Sequence, residues 1–527
     1  MLHHKELATA GILVLLASPA LAQKPTASSA EVESIDPETL ETKTSAVPAI
    51  QESTLVGPTW HTPAPPTSHP WLTLIELGAT IAGGITWYWV DRDRQVADWD
   101  YPGWESKLLF KKEIFIFDNN PFMVNYSWHT FAGGASHILG RANGLNVWAS
   151  TGLGLAASIV WEYGIESREL ISLNDLLMTN TTGIAVGEFF HRLGQYSHYR
   201  RNDSPGWQAV RWTFGLAHGV HGQLDPSLHV EPKIWPHFDF SYGLTTATIA
   251  RHDGAVVQDQ ERLLHSLSFE GEFVALERYM QPGTRSGVFH QANFTRFHLK
   301  LTTGDGSATN AYGDTFLLGY RTESIPQKDI GAVGLAYNVG TSIGYLYHRE
   351  GFGVWESRLG GLHVPGLATD GHVFGDSWKL RWRGRAHVDL MGVNSLSSQR
   401  WLDSYLDEDA GVVGKSIIKS DGYYYGWGAS ARANVELEFP IVTLGGNLFY
   451  GQYYSIEGFD RLRDELAYEI RGNDEFLDAE AWIRATVYKD FYAEVRYGDH
   501  RRDGQLAEFF ANETMRDLTF KVGAALQ

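Results

Sequence analysis

The stretch Trp378-Lys379-Leu380-Arg381-Trp382-Arg383-Gly384-Arg385-Ala386-His387-Val388-Asp389-Leu390 alternates without a break. Apolar or small residues occupy one parity, and Lys379, Arg381, Arg383, Arg385, His387 and Asp389 occupy the other. Successive side chains of a strand point to opposite faces. Burying such a charged face in a soluble core would be very costly. The pattern suits a wall with water on one side and an apolar medium on the other, as in a transmembrane β-barrel.

Other segments repeat the rhythm. Tyr425, Trp427, Ala429, Ala431, Ala433, Val435 and Leu437 alternate with small or polar residues. Leu477 to Val487 and Phe238 to Leu244 do the same, and the chain ends on Leu518, Phe520, Val522, Ala524 and Leu526. That terminal strand resembles the sorting signal of outer-membrane barrels, although it closes on Gln527 instead of an aromatic residue. Strands are expected near 236–252, 262–280, 287–302, 313–323, 331–348, 354–363, 376–392, 422–438, 441–455, 475–488, 491–502 and 516–527, about twelve in all. The two between 331 and 363 carry the weakest signal. Turn pairs such as Asp253-Gly254, Pro282-Gly283 and Asp503-Gly504 mark the breaks. Ser398–Asp409 and Arg461–Arg471 have the character of long extracellular loops.

The other end of the chain differs in texture. Lys5, the apolar run Ile12–Leu16 and Ala20-Leu21-Ala22 before Gln23 form a cleavable signal peptide over residues 1–22. Residues 23–69 are an acidic Pro/Ser/Thr-rich linker, expected as a periplasmic tail. Residues 70–205 have helical spacing and small-residue contacts such as Gly183-x-x-x-Gly187, which permit close helix packing. A compact helical domain is expected there, at the barrel mouth or inside the lumen, with the barrel occupying 206–527. The fold class is therefore mainly β: a transmembrane antiparallel barrel preceded by a small helical domain. The chain has no cysteine, so it holds neither a disulfide nor a lipoprotein anchor. A net charge of -19 argues against a phosphate-backbone binder, so no nucleic-acid partner is expected. Expected partners are outer-membrane lipids, lipopolysaccharide and the barrel-assembly machinery; cofactor and oligomeric state stay open.

The polar residues of the helical region are clustered. Asn125 and His129, Arg141 and Gly144, Trp161, Glu162, Tyr163 and Glu166 come first. Ser172, Asp175, Leu176, Thr179, Gly183, Gly187 and Glu188 follow. This combination resembles an uncharacterised bacterial envelope family, a domain of unknown function whose members pair such a helical domain with an outer-membrane barrel. The resemblance covers about residues 118–195 and implies an envelope location and a two-part architecture. It implies no reaction.

The same residues support three readings. As a catalytic set, His129 would be a general base, Glu162 its orienter and Arg141 an anion clamp, with Glu166 and Asp175 completing a lipid- or glycan-modifying site. As a metal site, His137, Glu188 and His191 supply imidazoles and a carboxylate, Glu188-x-x-His191 placing two of them on one helix face. As structure, Arg141 would pair with Glu162, Glu166 or Asp175, and Ser172 would cap the helix beginning at Leu173 with Asp175 at its third position. The basic row Lys379–Arg385 would either attract anions or pair with acidic rows on neighbouring strands, such as Glu436, Glu438, Asp478 and Glu480. For the whole protein, a structural or transport-related barrel with the helical domain as plug or periplasmic adaptor leads. An envelope-modifying enzyme and an adaptor that docks periplasmic partners are the alternatives.

Overall fold

The computed structural model describes residues 67–91, 107, 109, 114–167, 169–199, 204–228, 233–253, 256–326, 333–352, 355–405, 417–456 and 471–526. The signal-peptide reading and nearly all of the linker reading fall outside these residues, as does most of the 461–471 loop. A short parallel pair, β1 (Phe115–Ile116) with β2 (Ile171–Ser172), belongs to the helical domain. The barrel strands are β3 (Trp235–Asp253), β4 (Val256–Val274), β5 (Gly283–Phe289), β6 (Phe294–Gly304), β7 (Ser307–Ile325), β8 (Gly334–Phe352), β9 (Trp355–Phe374) and β10 (Lys379–Asn394). They continue as β11 (Tyr424–Glu438), β12 (Val442–Ser455), β13 (Gly472–Tyr488), β14 (Phe491–Leu506) and β15 (Phe509–Leu526).

All neighbours pair antiparallel. β5 and β6 lie end to end along the same edge of β7, forming one interrupted stave, so the wall has 12 staves. Pairing of β15 with β3, from Leu526↔Phe238 to Asn512↔His252, together with that of β7 with β8, closes the cylinder. The weakly signalled segment is two full strands, β8 and β9, of 19 and 20 residues.

The wall is inside-out relative to a soluble protein. On β10, Arg383, Arg385 and Asp389 are buried in the lumen, while Val388 is 56% exposed on the outer surface. Val435, Ile483, Phe520 and Val522 continue the exposed apolar rows on other strands. The near rim holds the start of β3 and the end of β15. The far rim carries the longest connections, after β10 and after β12. One of these contains two short helices, Leu396–Tyr405 and Ile417–Asp421.

Before the barrel come α1 (Pro70–Asp91), α2 (His129–Ala142), α3 (Val147–Val160), α4 (Leu173–Tyr199), α5 (Pro205–Phe214) and α6 (Leu216–Leu224). Helix therefore persists to Leu224, and the barrel begins at Trp235. A single π-type turn precedes α2 (Val124–Trp128) and another follows α3 (Trp161–Ile165).

These helices neither enter the lumen nor cap the mouth, contrary to the sequence-based expectation; the bundle leans on the outer wall, chiefly through α4. Phe189 of α4 packs on Phe273 and Phe297, with ring centroids 5.3 and 5.6 Å apart. Each partner sits next to a luminal charge: Glu272 bonds Arg381 across the lumen, and Arg296 approaches Glu270 and Glu272. Alternation then directs Phe273 and Phe297 outward. Outward glycines form sockets for the helices: a Cβ on Gly271 would strike the Phe189 ring, and one on Gly392 the Tyr126 ring.

α4 runs from rim to rim. Near its start, the Asp118 carboxylate accepts a bond from Tyr425 at the beginning of β11, on the far rim. Near its end, Tyr196 packs on Phe238 at the beginning of β3, on the near rim. Its 27 residues span about 40 Å.

Candidate functional site

The residues singled out from sequence divide into two buried clusters. The first lies at the far-rim end of the bundle, where the segment before α2 meets the connection from α3 to α4. Ser172 caps α4, its Oγ accepting the Asp175 N–H at 3.1 Å. Its own N–H donates to Glu162 Oε2 at 2.8 Å. Asp118 accepts from Asn125 Nδ2 (2.8 Å) and from the Tyr425 hydroxyl (2.9 Å). Ser172 Oγ lies 3.1 Å from the second Asp118 oxygen. His129 presents Nε2 to Asp175 at 3.4 Å and Nδ1 to Thr179 Oγ1 at 3.2 Å. Lys107 donates to the carbonyls of Glu162 and Glu166 at 2.5 and 2.6 Å, satisfying backbone acceptors at the end of the π turn.

This cluster unites four of the five proposed catalytic residues: His129, Glu162, Glu166 and Asp175. Arg141 does not join them. It lies 12 positions along the same helix from His129, about 18 Å of rise. The expected pairing of Arg141 with Glu162, Glu166 or Asp175 is replaced by one with Glu188. Both ring nitrogens of His129 already face internal partners, and its side chain is only 21% exposed, a poor arrangement for a base acting on an outside substrate. Glu162, Glu166 and Asp175 bring one acidic oxygen each within 4.8 Å of the others. Three of their six oxygens already accept: one from the Ser172 N–H, one from Trp161 Nε1 (2.8 Å, on Glu166) and one from Asn174 Nδ2 (2.9 Å, on Asp175).

Burial pushes the Glu162 carboxyl, in the turn beyond α3, up to about 8, against the Ser172 N–H, which favours its charge. Burial also works to raise Asp118, but His129 and the Asn125 and Tyr425 donors hold it below its ordinary value. An acid neutral in the folded state and ionised when unfolded costs stability as pH rises between its two pKa values. The bundle should therefore lose thermal stability between about pH 4.5 and pH 8. Glu162→Gln is expected to flatten that slope in melts recorded across the range, because the amide oxygen still accepts from Ser172. An unchanged slope would assign the titration to other groups.

The second cluster sits between α2 and α4. Glu188 is fully buried. Its oxygens meet Arg141 Nε (2.9 Å) and Nη2 (3.2 Å), Arg192 Nη2 (2.9 Å) and His137 Nε2 (3.0 Å). Two guanidiniums occupy the space a cation would take, so His137, Glu188 and His191 do not fit a metal site. His191 instead stacks edge-on with His218 at 4.8 Å, and its carbonyl lies 2.9 Å from His218 Nε2.

Sequence reasoning did not mark Lys107 or Tyr423 and read Tyr425 only as the start of an alternating strand. Asn125 Nδ2 lies 3.0 Å from the Tyr423 hydroxyl and 2.6 Å from that of Tyr425. The two tyrosines weld the first cluster to the wall. The available signal was the run Tyr423-Tyr424-Tyr425, which places two phenols on the outward row at a strand start.

The lumen is the other polar site. Lys379 pairs with Glu438 on the neighbouring strand at 3.0 Å, as the alternation suggested. The next two arginines do not use neighbours. Arg381 and Arg383 reach Glu272 on β4, and Arg383 also meets Glu270 at 3.2 Å. Four staves separate β10 from β4 one way round and six the other, so these are opposite walls. Arg385 binds Asp314 (2.7 Å) and Asp370 (2.6 Å). Toward the far rim, Arg502 of β14 holds Asp474 at 2.9 Å and bonds Ser357 on the opposite strand β9. A cavity of about 230 Å³ remains, its lining running from Glu270 and Arg383 to Arg502 and Glu513.

The fold defines a closed transmembrane barrel with an external helical bundle. Residues 114–217, which hold the carboxylates of both buried clusters, match the family model described as a domain of unknown function (DUF3943). No curated protein matches the chain. Among solved structures it is similar to the translocator domain of the autotransporter NalP from Neisseria meningitidis, at 12% identity over 59% of this chain and 96% of that one, TM-score 0.21. It is also similar to an outer membrane channel from Pseudomonas putida F1, at 8% identity over 55% and 95%, TM-score 0.24. A Pseudomonas aeruginosa FadL homologue aligns at 8% identity over 55% and 90%, TM-score 0.20.

Proposed function

We propose that this protein is an outer-membrane barrel that serves as a closed structural platform for its helical bundle, not as a standing pore. The observation that carries this reading is the set of ion pairs joining opposite walls, Arg381 and Arg383 to Glu270 and Glu272. A solute would have to break several charge-assisted bonds to pass. The apolar outer rows support membrane residence. The position of His69, 2.7 Å from Asp225 just before the near rim, supports a periplasmic tail leading to α1. Outer-membrane lipids and the barrel-assembly machinery are the partners this reading requires.

Planar-bilayer recording tests it. The native protein is expected to give no steady conductance. The double variant Arg381→Ala/Arg383→Ala is expected to give discrete openings. A steady ohmic channel from the native protein would sink the reading and favour transport.

An envelope-modifying enzyme is the second reading, favoured by the gathering of His129, Glu162, Glu166 and Asp175 at one rim. It predicts that His129→Ala alters the membrane lipid or lipopolysaccharide profile while the barrel still assembles. An unaltered profile would leave the cluster as a brace between the bundle and the wall.

A further inference from the structure

We infer that the outer face of the helical bundle is itself a lipid-facing surface: α1 to α4 sit within the membrane beside the barrel, touching acyl chains. The inference rests on membrane residence of the barrel and extends it to residues no barrel rule covers.

Three observations converge. First, α4 lies against the outer wall from the far rim to the near one, so the bundle crosses the height of the apolar belt. Second, the bundle has the same inverted polarity as the barrel. Among the described residues of α1 to α4 no exposed position carries a charge. Glu188, Arg192, His137 and Asp175 all point inward, while Ile75, Phe131 and Leu155 are 68%, 60% and 42% exposed. A water-facing helix normally shows its charges outside and its apolar stripe inside. Third, exposed tryptophans stand at helix ends. Trp71 (77%) begins α1 on the near-rim side, and Trp128 (67%) lies just before α2 on the far-rim side. Tryptophan favours the two levels where bilayer meets water.

No described helix is long and apolar enough to cross a membrane alone. That follows from the packing: hydropathy averages over all faces, but lipid meets only one. The polar faces of these helices bond each other and the wall. Internal satisfaction of polar groups is what a bilayer demands.

The chain lacks cysteine, so single cysteines can be placed without background. Ile75→Cys, Phe131→Cys and Leu155→Cys would each carry a nitroxide in vesicles of phosphatidylethanolamine and phosphatidylglycerol. Val388→Cys on the outer wall is the lipid reference, and Arg516→Cys, 61% exposed in its side chain, is the water reference. Collision rates with oxygen and with a neutral nickel chelate are then compared. The three bundle positions are expected to match Val388, with oxygen favoured over nickel. Nickel access equal to that at Arg516 would place the bundle in water and overturn the inference, with the barrel reading intact. Loss of both collisions would mean that a second copy or another protein covers the face, and would overturn it equally. If Val388 itself behaved as Arg516 does, the membrane reading of the barrel would fall first.

Discussion

Gly133→Val is expected to unseat α2 from α4 and to be the most damaging single change in the bundle. A Cβ on Gly133 would lie 1.6 Å from the Thr179 carbonyl oxygen and 3.2 Å from the Gly183 Cα. Both obstacles are backbone, so no rotamer change relieves the clash and the helices must part. Overpacking costs about 1–3 kcal/mol where side chains can shift, and this site should exceed that range. Separation would also pull Arg141 away from Glu188. The readout is chemical unfolding followed by helical circular dichroism, beside the heat-modifiable gel mobility of the barrel. The helical transition should shift strongly while the barrel still forms. Gly83→Ala is the control: nothing lies within 4 Å of its Cβ, and alanine should stabilise that helix by about 1 kcal/mol. Equal behaviour of the two variants would refute the close crossing.

Glu188→Ala should come next. It leaves Arg141 and Arg192 facing each other in a buried space without a counter-charge. Removing one partner of a buried ion pair costs about 3–5 kcal/mol. The triple variant Arg141→Met/Glu188→Leu/Arg192→Met removes every charge and should recover much of that loss, since apolar replacement of a buried triad is often neutral. If Glu188→Ala melted like the native protein, the hub would be solvated and not buried as described.

Several features were legible because they are local. Ser172 with Asp175 three residues on marks a helix cap, and the structure places the cap there. Gly183 and Gly187 meet Gly133 and Gly134, so the small-residue signal named a true crossing. The alternation in β10 separated luminal from outer residues correctly at every position discussed above.

Other features were not legible because they depend on what the folded chain places opposite. Glu272 is far from Arg381 in sequence and on another stave, and only closure sets them face to face. Arg141 chose Glu188 over Glu162 because α2 and α4 run parallel side by side from the far rim, which puts Arg141 more than three turns from the rim cluster and level with Glu188. The bundle's position was hidden for a related reason. Gly271, Gly392 and Tyr425 occupy the outward row, where a small or aromatic residue facing a helix cannot be told from one facing lipid.

The amino-acid order alone determined the barrel, because a period of two with opposite chemistry on each parity has few stable solutions at this length. It also determined the inward and outward faces of each strand and the existence of helices before them. Tertiary structure alone decided which charges cross the lumen and which wall the helices lean on. Those outcomes come from long-range juxtaposition, where a residue's partner is set by curvature and register and leaves no mark in its neighbours along the chain.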